Sequence, residues 1–263
     1  MDLKLSGTRA FVSGSTQGIG YAIARALLRE GVSVVVNGRG SDRVESAVAT
    51  LRTEVPGAEV TGIAADLERA EEVRRLIDEL GEVDILVNNA GVFDVVPFEQ
   101  ITDDEWQRYF DLNVMSGVRL ARHALTGMLA RNRGRILFIG SESGVNVPAD
   151  MLHYGMTKAA MLAVGNGLAK LTKGTDVTVN TVLGGPTYSD GVARTVEAIA
   201  QAQNLAADDL KGSIAAANQT SLLQRFISPE EIASLVVYLA SPLASATNGA
   251  AVRADGGVLT TLV

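Results

Sequence analysis

A doubly wound, parallel α/β sheet in one domain is the fold this sequence predicts, and three observations carry the prediction. Short apolar runs, of the kind that suit strands covered on both faces, alternate with helical segments along the whole chain. The first of these runs passes straight through a glycine-rich turn into a helix. The length, 263 residues, allows one large α/β domain with a substantial core but not two full ones.

Thr8 to Ser13 reads as the first buried strand, followed by Gly14-Ser15-Thr16-Gln17-Gly18-Ile19-Gly20 and a helix from Tyr21 to Glu30. In that context Gly14 permits a tight turn, Gly18 lets backbone approach a diphosphate, and Gly20 lets helix and strand pack closely. The diphosphate would rest on the N–H groups and positive dipole of the helix end. The spacing is G-x-x-x-G-x-G, a variant of the common G-x-G-x-x-G, and the same glycines also suit a plain turn with positive φ.

Val32 to Val36 is the second strand and ends in Asn37-Gly38-Arg39. An acidic side chain near this point bonds the ribose of NAD, whereas an arginine suits the 2′-phosphate of NADP. Glycine stands at the acidic position and Arg39 follows, so NADP(H) is preferred, with NAD(H) possible. A solvated surface arginine is the plainer alternative. A helix over Ser41 to Glu54 stops at Val55-Pro56-Gly57, and Glu59 to Ala64 is the third strand. It delivers Asp66 and Leu67 where an adenine edge would be met. Glu68 to Leu80 is an amphipathic helix ended by Gly81, and Val83 to Val87 is the fourth strand, leading to Asn88-Asn89-Ala90-Gly91. Small residues and amides at a strand's carboxyl end suit a ligand crevice, although they also simply make turns.

Thr102-Asp103-Asp104-Glu105 is a capping box that opens one long helix to about Arg131. Asn113, inside it, is a weak helix former of the kind that commonly faces solvent. Ile136 to Ile139 is the next strand, with Ser141 in the loop after it, and a further helix carries Tyr154 and Lys158 to about Thr172. Val177 to Val182 leads into Leu183-Gly184-Gly185-Pro186-Thr187. Residues 188–223 turn polar and alanine-rich, with helical patterns but little core, and read as a mobile substrate lid. Ser228-Pro229-Glu230-Glu231 opens another helix, and Ala250 to Ala254 is the last strand before Asp255-Gly256-Gly257.

Composition narrows the function. There are no cysteines and two histidines, His123 and His153, without metal-ligand spacing, so no metal site is expected and each histidine is expected at a surface or half-buried position. A net charge of −7 without a basic run argues against nucleic acid and anionic membranes. No apolar run approaches a membrane span, no signal peptide is evident, and the expected location is the cytoplasm.

Chemistry concentrates between Gly140 and Ala159. Tyr154 and Lys158 are four apart and share one helix face. A positive charge within about 4–6 Å of a phenol favours the phenolate, so Lys158 is expected to lower the tyrosine pKa from about 10 by two to three units. Ser141 adds a hydrogen-bond donor for a carbonyl oxygen.

The glycine turn at 14–20, the Asn88-Asn89-Ala90-Gly91 stretch, Asn113, and Ser141 with Tyr154 and Lys158 stand in one order that resembles the short-chain dehydrogenase/reductase family over essentially the whole chain. The Phe226–Ala233 segment and the Asp255-Gly256-Gly257 ending resemble it too. The resemblance implies a Rossmann-type single domain over 1–263, acting as an NAD(P)-dependent oxidoreductase on a secondary alcohol or ketone. In it Tyr154 would exchange the proton, Ser141 would hold the substrate oxygen, Lys158 would tune the tyrosine and bind the nicotinamide ribose, and Asn113 would anchor a relay water. Ser143 ranks below Ser141.

The implied cofactor set is the turn from Gly14 to Gly20, Asn37, Arg39, Asp66, Leu67, Asn89, Ala90, Gly91, Tyr154, Lys158, Gly185 and Thr187. Phe93, Val145, Val147, Met151, Leu152 and Tyr188 would line an apolar substrate side. A homotetramer is implied, paired through the long helix, the Tyr154 helix and the last strand. Two departures stand out: Ser13 where threonine is usual, and Gly184-Gly185 where Pro-Gly is usual, which predicts a looser loop at the lid. The alternatives are a non-catalytic dinucleotide-binding regulator on the same fold and, as the specific activity, a 3-oxoacyl thioester reductase. Enoyl reduction on this scaffold goes with a longer tyrosine-to-lysine spacing.

Overall fold

The computed structural model describes residues 1–262. Seven parallel strands form one sheet: β1 (Arg9–Val12), β2 (Ser33–Gly38), β3 (Val60–Ala64), β4 (Ile85–Asn88), β5 (Gly134–Ser141), β6 (Val177–Gly184) and β7 (Ala251–Ala254). Their spatial order is β3-β2-β1-β4-β5-β6-β7. The chain winds outward from β1 through β3, then returns to β4 beside β1 and winds the other way. That reversal opens a crevice at the carboxyl ends of β1 and β4, where ligands of such sheets bind.

Strand residues alternate between the two faces, as a pleat of period two requires. Ala10, Val12, Val34, Val36, Val87, Leu137 and Ile139 pack under α1 (Gly18–Arg29), α2 (Ser41–Glu54) and α9 (Pro229–Ala240). Phe11, Val35, Leu86, Ile136, Phe138 and Val179 pack under α3 (Ala70–Leu80), α5 (Ser116–Ala130) and α6 (Leu152–Lys170). Both faces are buried, which is why the strands read as continuous apolar runs. No helix among the described residues is long and apolar enough to cross a membrane.

Several boundaries differ from the sequence reading, and four of them bear on the site. The first helix begins at Gly18 rather than Tyr21, so the second half of the glycine turn is already its first turn. Strand β2 continues past Val36 through Asn37 and Gly38, which pair with Ile63 and Ala64. Strand β5 runs on to Ser141, paired with Gly184 of β6, so Ser141 ends a strand and does not sit in the following loop. The long helix expected from Thr102 is broken: α4 (Asp103–Tyr109) gives way to a π-helical segment, Phe110–Met115, before α5 resumes.

After β6, residues 188–223 contain α7 (Asp190–Gln203) and α8 (Ala207–Ala217). Only Val196 and Ala200 of α7 are buried, and no residue of α8 is. Few buried apolar side chains hold this segment down, which makes it the part of the chain cheapest to open.

Candidate active site

The glycine turn is built by a polar frame beneath it. Gly14 and Gly18 have φ of 60° and 61°, a region that disfavours side chains. A Cβ on Gly20 would lie 2.5 Å from both Asn89 Nδ2 and the Gly14 carbonyl oxygen, so only glycine lets α1 start this close to β4. Ser13 Oγ accepts the N–H groups of Asn89 and Ala90 at 2.9 and 3.0 Å. Asn89 Nδ2 donates to the carbonyls of Ser13 and Gly14 at 3.0 and 2.9 Å. A serine in place of the usual threonine therefore retains the hydroxyl this frame uses.

Several polar residues assigned to the cofactor are spent on the protein itself. Ser15 is fully buried, donates to the Val12 carbonyl at 2.6 Å and accepts the Asn37 N–H at 3.0 Å. Asn37 Oδ1 accepts from the Gly14 N–H, while its Nδ2 donates to the carbonyls of Ile63 and Ala65. These two side chains staple the turn to β2 and β3, which leaves their backbone for any ligand contact. The Leu67 side chain is core, and Asp66 beside it is half-buried. Arg39 is exposed at the end of β2. Thr16, Gln17 and Ile19 lie on the turn at or near the surface.

The π-helical segment explains Asn113. Rather than facing solvent, Asn113 is 1% exposed. Its Oδ1 accepts the Val92 N–H at 2.8 Å, and its Nδ2 donates to the Val92 carbonyl and to Thr157 Oγ1, each at 3.0 Å. Both ends of the amide are occupied, so a relay water would need the backbone carbonyls that the π turn frees. A Cβ on Gly91 would fall 3.1 Å from Asn113 Oδ1 and 3.8 Å from Lys158 Nζ, which places Gly91 between them.

Lys158 is 5% exposed; its ammonium donates to the Ile139 carbonyl at 2.8 Å and lies 5.6 Å from the Tyr154 ring centroid. Burial pulls the Lys158 pKa down to about 8. The Tyr154 phenol is pushed up to about 12, by burial first, with the Glu142 charge adding to it and the Ser141 hydroxyl pulling back. Desolvation disfavours the charged form of both groups and raises the phenol, against an expected drop that counts on a cofactor charge as well as on Lys158. Tyr154, Ser141 and Lys158 nevertheless converge at the carboxyl end of β5, with Phe93 edge-on to Tyr154 at 6.1 Å.

Gly184 is held in the ladder by Ser141 on one side and Ala254 on the other, and a Cβ on Gly185 would collide with the Asp255 backbone. Close packing thus leaves room only for glycine at position 185. Thr187 Oγ1 turns back to the Gly185 carbonyl at 2.8 Å. The start of α7 docks on the glycine turn, since Asp190 Oδ2 accepts the Gly18 N–H at 2.7 Å and Arg194 donates to Gln17 Oε1 at 3.3 Å. Tyr188 meets Phe226 at a tilt, 5.4 Å between ring centroids, under the Lys211 ammonium.

Two residues escaped the sequence reading. His153 is fully buried, against Tyr109 at 3.9 Å between ring centroids, and not at the surface. Glu142, whose carboxylate meets Ser141, carries no sequence signal beyond its place between two serines.

Comparison with known proteins agrees with this architecture. A family model described as short chain dehydrogenase matches residues 8–200. The uncharacterized oxidoreductase YvrD of Bacillus subtilis (strain 168) is 46% identical over 266 residues, covering 100% of both chains. A D-beta-hydroxybutyrate dehydrogenase of Cupriavidus necator is 32% identical, covering 96% of this chain and 98% of its own. The crystal structure of L-sorbose reductase from Gluconobacter frateurii, complexed with NADPH and L-sorbose, superposes with a TM-score of 0.94 at 33% identity over 100% of both chains. With the doubly wound sheet, the glycine turn at its switch point and relatives matched from end to end, this chain is an oxidoreductase belonging to the short-chain dehydrogenase family.

Proposed function

We propose that the chain is an NADP(H)-preferring enzyme that moves a hydride reversibly between nicotinamide and a secondary alcohol or ketone, with Tyr154, Ser141, Lys158 and Asn113 as its catalytic set. The observation that carries this reading is the convergence of Ser141, Tyr154 and the buried Lys158 ammonium at one strand end. The cradle suits a dinucleotide, because the positive-φ Gly14 and Gly18 keep side chains off the turn and the N-terminus of α1 opens there, an end that favours an anion. Gly14 through Gly20, Asp66, Ala90, Gly91 and Lys158 would hold it, with Arg39 on a 2′-phosphate. A bound nicotinamide supplies or accepts the hydride.

The chain's own task is the proton. Tyr154, protonated at neutral pH, gives it to the carbonyl oxygen, and in the reverse direction its phenolate takes the alcohol proton. Lys158 keeps a positive charge beside the phenolate that forms. Phe93, Val145 and Val147 are exposed apolar side chains, which favours a ketone with an apolar body. The 190–217 helices serve as lid, supported by the Asp190 and Arg194 contacts to the glycine turn. A homotetramer completes the proposal. Tyr154→Phe, which keeps the ring's packing, is expected to lower kcat by about 10²–10⁴-fold with NADPH affinity nearly unchanged. A variant that keeps more than about a tenth of the wild-type rate on a ketone panel refutes the assignment.

A further inference from the structure

Glu142 is an acidic side chain at the reacting end of β5 for which the proton transfer itself has no use. It opens the 3-10 turn Glu142–Gly144 directly after Ser141 and is half-buried. The Ser141 hydroxyl donates to its Oε2 at 3.0 Å, and the same Ser141 Oγ accepts the Ser143 N–H at 3.1 Å. Burial raises the Glu142 carboxyl, and the Ser143 and Ser141 hydroxyls draw it back. Neighbouring charges do not stand in for these donors. The Asp255 carboxylate accepts the N–H groups of Gly257 and Leu259, each at 3.0 Å, and the Lys158 ammonium donates to the Ile139 carbonyl at 2.8 Å.

A serine hydroxyl has one proton to give. In the structure that proton is directed at Glu142, whereas the proposed reaction requires it on the substrate oxygen. When Ser141 turns to the substrate, the half-buried carboxylate loses a donor, and a partly desolvated charge that loses a hydrogen bond is penalised. A plain ketone has no proton with which to make good the loss. A hydroxyl on the carbon beside the carbonyl has one. Glu142 Oε2 and the substrate oxygen would both be neighbours of Ser141 Oγ, so such a hydroxyl reaches the carboxylate while the carbonyl stays on Ser141.

Taking Ser141 and Tyr154 in their proposed roles, we infer that Glu142 is a specificity-determining residue that accepts a hydrogen bond from a hydroxyl next to the reacting carbonyl, which makes the substrate an α-hydroxy ketone in reduction and a vicinal diol in oxidation. One hydroxyl donor is exchanged for another, so the carboxylate is satisfied before and after the substrate enters. Ser141 remains the donor to the substrate oxygen. The apolar body of the ketone is left to the exposed side chains of Phe93, Val145 and Val147, and the two ends of the substrate are thereby told apart.

The test compares kcat/KM for an α-hydroxy ketone and for its methyl ether, which keeps the electron-withdrawing oxygen but has no proton to donate. Both are assayed with NADPH on the full chain, its Glu142→Gln variant and its Glu142→Ala variant. The native chain should favour the hydroxy ketone by about tenfold or more, the worth of a hydrogen bond to a charged acceptor. Glu142→Gln, which keeps a neutral acceptor, should reduce that ratio to about threefold, and Glu142→Ala should bring it to about one. Using the ratio cancels any general loss of rate or stability, so a merely structural role for Glu142 leaves it unmoved. A native ratio below about threefold, or one that survives in Glu142→Ala, overturns the inference. Should Glu142→Ala not fold, an undiminished ratio in Glu142→Gln does the same. If Tyr154→Phe retains its rate on both compounds, the catalytic reading beneath it fails. If Tyr154→Phe silences both while the native chain does not distinguish them, only the role of Glu142 fails.

Discussion

Replacing Arg39 with alanine tests cofactor choice at the side chain free to make it. Arg39 follows Gly38 at the exposed end of β2. A forked, charge-assisted contact to a 2′-phosphate is worth about 1.5–3 kcal/mol, or roughly ten- to hundredfold. Exposure and a Debye length of about 8 Å at physiological salt place the expected loss near the lower end, about tenfold. The assay is kcat/KM with NADPH and with NADH at low and physiological ionic strength. NADPH should lose about tenfold, less as salt rises, while NADH stays unchanged. A loss under about threefold with NADPH, or an equal loss with both, refutes the argument. The reciprocal change, an acid at position 38, is a poor control. A Cβ on Gly38 would fall 2.6 Å from Thr16 Cγ2 and 3.4 Å from Val44 Cγ2, and a β-branched threonine has little freedom to yield. Gly38→Asp should weaken both cofactors by disturbing the turn. Packing against Thr16 thus accounts for the glycine there, and the case for NADP rests on Arg39 rather than on the missing carboxylate.

Three further outcomes are expected. The Lys158 pKa, drawn from 10.5 to about 8 by burial, corresponds to a penalty of about 3 kcal/mol at neutral pH. The unfolded chain binds more protons between these values, so the penalty is full below about pH 8 and relieved toward 10.5. Lys158→Met should therefore abolish turnover yet raise the thermal midpoint at pH 7 by a few degrees, after the unpaired Ile139 carbonyl takes back about 1–2 kcal/mol; a lower midpoint counts against the buried charge. Asp190→Ala removes the lid's contact with the Gly18 N–H and should speed limited proteolysis within 204–218; an unchanged rate means that contact does not hold the lid. Light scattering should give about four times the 27.6 kDa chain mass, and a mass near one chain rules the tetramer out.

Sequence carried the architecture because buried parallel strands and capped helices leave strong local signals. The helix Ser41–Glu54 and the capping boxes at Thr102 and Ser228 are where local chemistry places them. What it missed depends on partners distant in the chain. Strands β5 and β6 extend through Gly140-Ser141 and Leu183-Gly184 because each pairs with the other, and glycine or serine has no strand propensity to announce it. The π-helical break at Phe110–Met115 accompanies an amide bonded to Val92 and Thr157, and neither partner is visible from the spacing of apolar residues. His153 is buried because α4 brings Trp106 and Tyr109 over it.

The site was less legible for one physical reason. A polar residue in a ligand loop either faces the ligand or satisfies buried backbone, and buried backbone groups must be satisfied. Ser13, Ser15, Asn37 and Asn89 all take the second course. The turn is consequently rigid before any ligand arrives, since moving one of its glycines breaks hydrogen bonds to β1, β2 and β4 together. On the proposed function, binding energy then need not be spent on ordering this wall of the site, and the proposed lid, with α8 wholly unburied, is where that cost would fall.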